Sequence, residues 1–164
     1  MIETVKKSCW QQFGASLDML ENAIKLCPDM LWDTDRLFWY WSYHCLFWTD
    51  YYLTLDPDSF APPAPFTLSE FESGGAMPDR TYTKEEILIY LQYCSDKAFN
   101  LIKSFTEELV QTPWVNKTKN FTVLEILLYN MRHVQHHAAQ FNKILREEID
   151  QAPSWVSVAR SEIT

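Results

Sequence analysis

One seam near the C-terminal end constrains the fold more than any other stretch. Leu127, Met131, Val134, Ala138, Phe141 and Leu145 recur in steps of four and three, the spacing of one helix face. Thr122-Val123-Leu124-Glu125 precedes them as a capping box, and Pro153 follows, so the spacing predicts a helix from about 122 to Ile149. A single apolar stripe must be buried against other elements. The rest of the chain supplies more helices, and its three glycines leave little for hairpin-rich or Gly-loop folds.

Ile2, Val5, Cys9, Phe13, Leu17, Leu20, Ile24 and Cys27 form a first helical stripe, ended by Pro28. A second helix is expected from Asp33-Thr34-Asp35 to Leu53, with aromatic side chains almost all round and hence burial on more than one side. Thr83-Lys84-Glu85-Glu86 is a capping box that opens a third helix. Its apolar face runs from Ile87 through Leu91, Cys94, Ala98 and Ile102 to Phe105 and Leu109, with Pro113 as the break.

Between the second and third helices, residues 56 to 81 hold Pro57, Pro62, Pro63, Pro65, Gly74, Gly75 and Pro78. So long an irregular connection in a small domain is functional or forced by topology. In a four-helix bundle it lets the second and third helices run parallel. Phe60, Phe66, Leu68 and Phe71 predict that it packs down on the bundle. Trp155 and Val156 predict a docked tail. The expected fold is all-α, one domain over 1–164, a four-helix bundle with one long crossover.

Beside the seam of the last helix lies a second row: Ile126, Asn130, His133, His137, Gln140 and Ile144. His133 and His137 are one turn apart and reach one point on one face. His136 falls on the solvated side with Tyr129, Arg132 and Lys143. The remaining histidine, His44, lies within the aromatic helix, where an unpaired imidazole costs about 1–3 kcal/mol. One divalent ion held by His44, His133 and His137 satisfies all three and leaves an open coordination position, the form of a catalytic site. The competing reading is a bundle whose core histidines are hydrogen-bonded to side chains. Asn130 and Gln140, on the same row, are candidates to orient an imidazole or a substrate. Asp50 lies well round its helix from His44.

Other chemistries are disfavoured. A ferritin-like di-iron site needs Glu three residues before His, and Trp41, Asn130, His133 and Val134 stand there. His-Glu-x-x-His, Gly-x-Ser-x-Gly and phosphate-binding Gly loops are absent from the sequence. A net charge of −8 without a basic cluster opposes nucleic-acid and anionic-membrane binding. No apolar run or N-terminal pattern suggests a membrane span or a leader, and Cys9, Cys27, Cys45 and Cys94 read as small buried hydrophobes of a cytoplasmic protein. Asn116-Lys117-Thr118 and Asn120-Phe121-Thr122 match glycosylation acceptors, which carry no meaning without secretion.

Tyr43-His44-Cys45-Leu46-Phe47-Trp48-Thr49-Asp50-Tyr51-Tyr52-Leu53 and His133-Val134-Gln135-His136-His137-Ala138-Ala139-Gln140 resemble the DinB/YfiT-like proteins. Helix order, helix lengths and the long second connection fit as well. That family's pattern has one His on the second helix and His-x3-His on the fourth, commonly followed by Arg-Gly-Gln; here only Gln140 of that triplet matches. The resemblance implies an up-down-down-up bundle binding nickel or zinc through His44, His133 and His137. It also implies a dimer, which the surplus of aromatic residues independently suggests. Some members are transferases or isomerases using bacillithiol, mycothiol or glutathione. The expected function is a metal-dependent enzyme of S-transfer or hydrolase-like chemistry, taking a low-molecular-weight thiol and a small electrophile. The alternative is a metal-binding or interaction module without catalysis.

Overall fold

The structure, a computed structural model, describes residues 1–73 and 77–163. Gly74 and Gly75 of the expected crossover lie outside the described residues.

Helix α1 (Ile2–Leu26) buries Phe13, Leu17, Leu20 and Ile24, and stops where Pro28 requires extended backbone at Cys27. The aromatic helix starts later than the acids at 33–35 predict. A one-turn helix α2 (Asp29–Trp32) comes first, then Leu37 adopts left-handed backbone, and α3 spans Phe38–Tyr52. Asp33 is diverted from capping: its carboxylate accepts from Trp39 Nε1 at 2.8 Å and from Thr81 Oγ1 at 2.9 Å. Burial of Phe38, Tyr43, Leu46 and Phe47 fits a helix that is aromatic all round.

In the crossover Phe60 and Phe66 are buried as expected, whereas Leu68 and Phe71 remain about half exposed. A short 3-10 turn spans Ser69–Phe71. Helix α4 (Lys84–Lys103) begins with the full capping box of Thr83 and Glu86. It ends well before Pro113: Thr106 Oγ1 accepts from Leu109 N at 3.0 Å and starts a new turn. Phe105 still packs into the core from outside the helix.

A small antiparallel hairpin, β1 (Pro113–Val115) with β2 (Asn120–Thr122), interrupts an otherwise helical chain. Asn116 Oδ1 accepts from Thr118 N and Lys119 N at 2.9 and 2.8 Å, closing the turn by an Asx motif. Trp114 is buried and donates Nε1 to Thr54 O at 2.8 Å. Helix α5 (Val123–Ile149) has the predicted bounds, with Thr122 as its cap.

Helix α1 packs on α4 and α5, and α3 packs on the same two, so each long helix has two long neighbours. One apolar core fills the space between them. An ion pair at its edge joins α3 to α4: the half-buried Lys97 Nζ donates to the buried Asp50 Oδ1 at 2.6 Å, and Tyr90 donates to Asp50 Oδ2 at 3.0 Å. The tail docks on α1, with Ala159 N donating to Gln11 O and Trp10 Nε1 donating to Ser161 O. Val156 packs on the core, but Trp155, expected to dock, is exposed. Among the described residues no helix is long and apolar enough to cross a membrane.

Candidate metal centre

The three histidines singled out by the sequence meet across α3 and α5. His133 and His137 project from one face of α5, and His44 faces them from the middle of α3. One ring nitrogen from each lies within 4.8 Å of the other two. Ring centroids are 4.7 Å apart for His133 and His137, 5.2 Å for His44 and His137, and 6.1 Å for His44 and His133. Tetrahedral Zn–N bonds of 2.0–2.1 Å place ligating nitrogens about 3.4 Å apart. The cluster therefore needs only small side-chain adjustments to grip an ion.

The fourth polar partner comes from the crossover. Glu70 Oε2 lies 2.7 Å from His44 Nδ1 and accepts from Trp48 Nε1 at 2.9 Å, while its Oε1 is buried without a hydrogen-bond partner. Burial pushes the Glu70 carboxyl up, but the bonds with His44 and Trp48, with the Tyr40 hydroxyl nearby, outweigh it and hold it below the usual carboxylate range. The same pocket pushes Tyr40 up to about 12, first by burial and then by the nearby Glu70 carboxylate, so its hydroxyl keeps its proton. An ionised carboxylate only accepts, which makes His44 Nδ1 the donor and leaves its Nε2 lone pair for a ligand. A carboxylate behind an imidazole is the recurring support of metal-bound histidine.

Burial, then the nearby imidazoles of His137, His44 and His136, push His133 down to about 3. Burial, then His44 and His136, push His137 down to about 4. Both rings are neutral near pH 7, the form that ligates metal. Their Nδ1 atoms are buried without a hydrogen-bond partner. That speaks against a fully hydrogen-bonded core trio, since each such atom costs about 1–3 kcal/mol. Three imidazoles with a carboxylate behind one of them fit a borderline divalent ion such as zinc or nickel.

The neighbours sort less evenly. Asn130 is buried, and its Nδ2 donates to Thr49 O at 2.9 Å. It ties α5 to α3 one turn before His133 rather than orienting an imidazole. Gln140 and His136 are exposed, and Asp50 belongs to the Lys97 pair. Trp41 stacks on His137 at 6.3 Å between ring centroids. Open clefts of about 570 and 470 Å³ border His133 and His137 respectively. Glu70, Trp48 and Tyr40 are the site residues that sequence reasoning missed. The available signal was weak: Glu70 is the first acid after Asp58, between the apolar Leu68 and Phe71.

No protein-family model, curated protein or solved structure matches this chain.

Proposed function

We propose that the protein is a DinB/YfiT-like metal-dependent enzyme that holds a divalent ion, nickel or zinc, through His44, His133 and His137. The convergence of three imidazoles from two helices, two of them with partnerless buried nitrogens, carries this reading. When bound, the ion supplies Lewis acidity that lowers the pKa of a thiol or water beside it. Glu70 keeps the His44 proton on Nδ1, and Trp41 shields one face of His137. The burial that keeps His133 and His137 neutral keeps their lone pairs available at neutral pH. The reaction class is S-transfer or a related isomerisation, or hydrolase-like attack, between a low-molecular-weight thiol or water and a small electrophile.

The same reading includes an up-down-down-up bundle. Phe38 with Phe141 and Thr49 with Asn130 support opposed directions for α3 and α5. Leu46 with Cys94 and Asp50 with Lys97 support a shared direction for α3 and α4. It also includes a cytoplasmic location and a homodimer, for which the aromatic surplus argues.

The test is metal analysis of natively purified protein alongside His44→Ala and His137→Ala. Near-stoichiometric nickel or zinc, lost in both variants, is expected. Metal-free protein whose melting temperature ignores added Ni²⁺ or Zn²⁺ overturns the proposal. Thiol dependence is read by incubating the loaded protein with glutathione, bacillithiol or mycothiol and a model electrophile.

A further inference from the structure

A second cleft, of about 570 Å³, opens between the end of α3, the crossover and the hairpin turn. It shares no lining residue with the clefts that border His133 and His137. Trp48, Tyr51, Tyr52, Phe60 and Phe71 give it aromatic walls, with ring centroids spaced 5.1–5.8 Å and mostly edge to face. Its rim is charged, and Asp58, Lys117 and Lys119 are the groups facing it. Among the described residues neither lysine has a carboxylate within 4.0 Å, although the chain carries a net charge of −8. The Lys119 ammonium lies 5.6 Å from the Tyr52 ring centroid and 5.1 Å from that of Tyr129, so it stands over the aromatic wall.

Two features distinguish this cleft from incidental surface. Leu68 and Phe71 are 46% and 45% exposed at its edge, yet they bracket the Ser69–Phe71 turn, whose Ser69 and Glu70 side chains are held by Tyr43 and by His44 and Trp48. Two large apolar side chains are thus held on a fixed turn facing open space. The hairpin turn opposite is fixed too, by the Asx bonds of Asn116 and by its Nδ2 donating to the Tyr51 hydroxyl at 3.1 Å. The walls are set on both sides, and the positive charge sits at the mouth.

We propose that this cleft binds a planar aromatic carboxylate. The ring lies in the cleft against the exposed sides of Trp48, Tyr52 and Phe71, where aromatic walls favour edge-to-face and offset contacts. The carboxylate stays at the mouth and accepts from the ammonium groups of Lys117 and Lys119. Asp58 disfavours a second negative charge on that side, which selects monoanions over dianions.

The experiment titrates metal-free protein with 1-naphthoate, following amide and indole signals by NMR, so its outcome is independent of the metal reading. The neutral isostere 1-naphthalenemethanol and the cation 1-naphthylmethylammonium are run beside it. Saturable naphthoate binding is expected, with shifts at the Trp48 indole and at residues 116–119. Affinity should fall by about tenfold or more in Lys117→Gln/Lys119→Gln, and the neutral isostere should bind more weakly by a similar factor. Both lysines are surface groups, and an unchanged melting temperature verifies the fold. No saturable shift, equal binding of the neutral or cationic probe, or unchanged affinity in the double variant each overturns the proposal.

Discussion

The Glu70 carboxylate accepts a 2.7 Å hydrogen bond from His44 Nδ1, joining the crossover to the one imidazole that α3 brings to the metal centre. Its Oε2 is shared with Trp48 Nε1, so one buried oxygen fixes two aromatic side chains on successive turns of α3. Sequence separation hides the pairing, since Glu70 lies 26 positions after His44, beyond the end of α3 and well into the crossover.

Glu70→Ala is expected to lower divalent-metal affinity by about 10- to 100-fold, the usual effect of losing a carboxylate behind a ligating histidine. Glu70→Gln keeps an acceptor for His44 but not the charge, and its loss should be smaller. Competition titration with a chromophoric chelator measures both. Equal affinity of wild type and Glu70→Ala would show that His44 needs no support.

Acid should destabilise the metal-free protein unusually early. The folded pKa values of His133 and His137, about 3 and about 4, lie below the ordinary 6.5. Between those values the unfolded chain binds more protons, so stability rises with pH across the window. The contribution is fully present above about pH 6.5 and is lost as pH falls toward 4 and then 3. Melting temperatures of metal-free protein from pH 7.5 to 4.5 should decline, and more shallowly in His133→Asn/His137→Asn. Parallel profiles would remove the histidines as the cause.

Lys97→Met should cost about 3–5 kcal/mol, because it leaves the fully buried Asp50 carboxylate without its cation. Burial already pushes the Asp50 carboxyl up, and the Lys97 ammonium opposes that. The pair lies apart from the histidines, so metal stoichiometry should not change. Chemical denaturation gives the first quantity and metal analysis the second; a loss below about 1 kcal/mol would reduce the pair to an ordinary surface bridge.

The histidine trio was legible because helical period alone aligns His133 with His137, and the aromatic helix leaves His44 few polar partners. Helix starts at Thr83 and Thr122 were legible because their capping bonds are local. Elements set by tertiary contacts were not. Asp33 looks like a helix cap but bonds Trp39 and Thr81, which delays α3 to Phe38. Phe105 and Leu109 continue the apolar period of α4 after the helix has ended, because residues beyond a helix can face the same core. The hairpin depends on Trp114 finding Thr54, 60 residues away. The Asn116 turn was the one local sign of it.

The tail offers a prediction in which two effects compete at one residue. Gly14 lies in mid-helix, where alanine is normally better by about 1 kcal/mol. A Cβ there would stand 2.6 Å from Ala159 Cβ and 3.2 Å from the Trp10 ring. The Trp10 contact is tight but tolerable, whereas the Ala159 contact is too short to persist. The tail has fewer holds than the helix: Ala159 N on Gln11 O, Trp10 Nε1 on Ser161 O, Gln12 Nε2 on Ser157 O, and Arg160 on Asp18, Glu21 and Asn22. The tail should therefore give way. Gly14→Ala is expected to leave the melting temperature within a few degrees of wild type while exposing residues 157–161 to protease and to fast amide exchange. A stable variant with a protected tail would mean that α1 shifts to admit the methyl group. A collapse in stability would mean that the docked tail is part of the cooperative core.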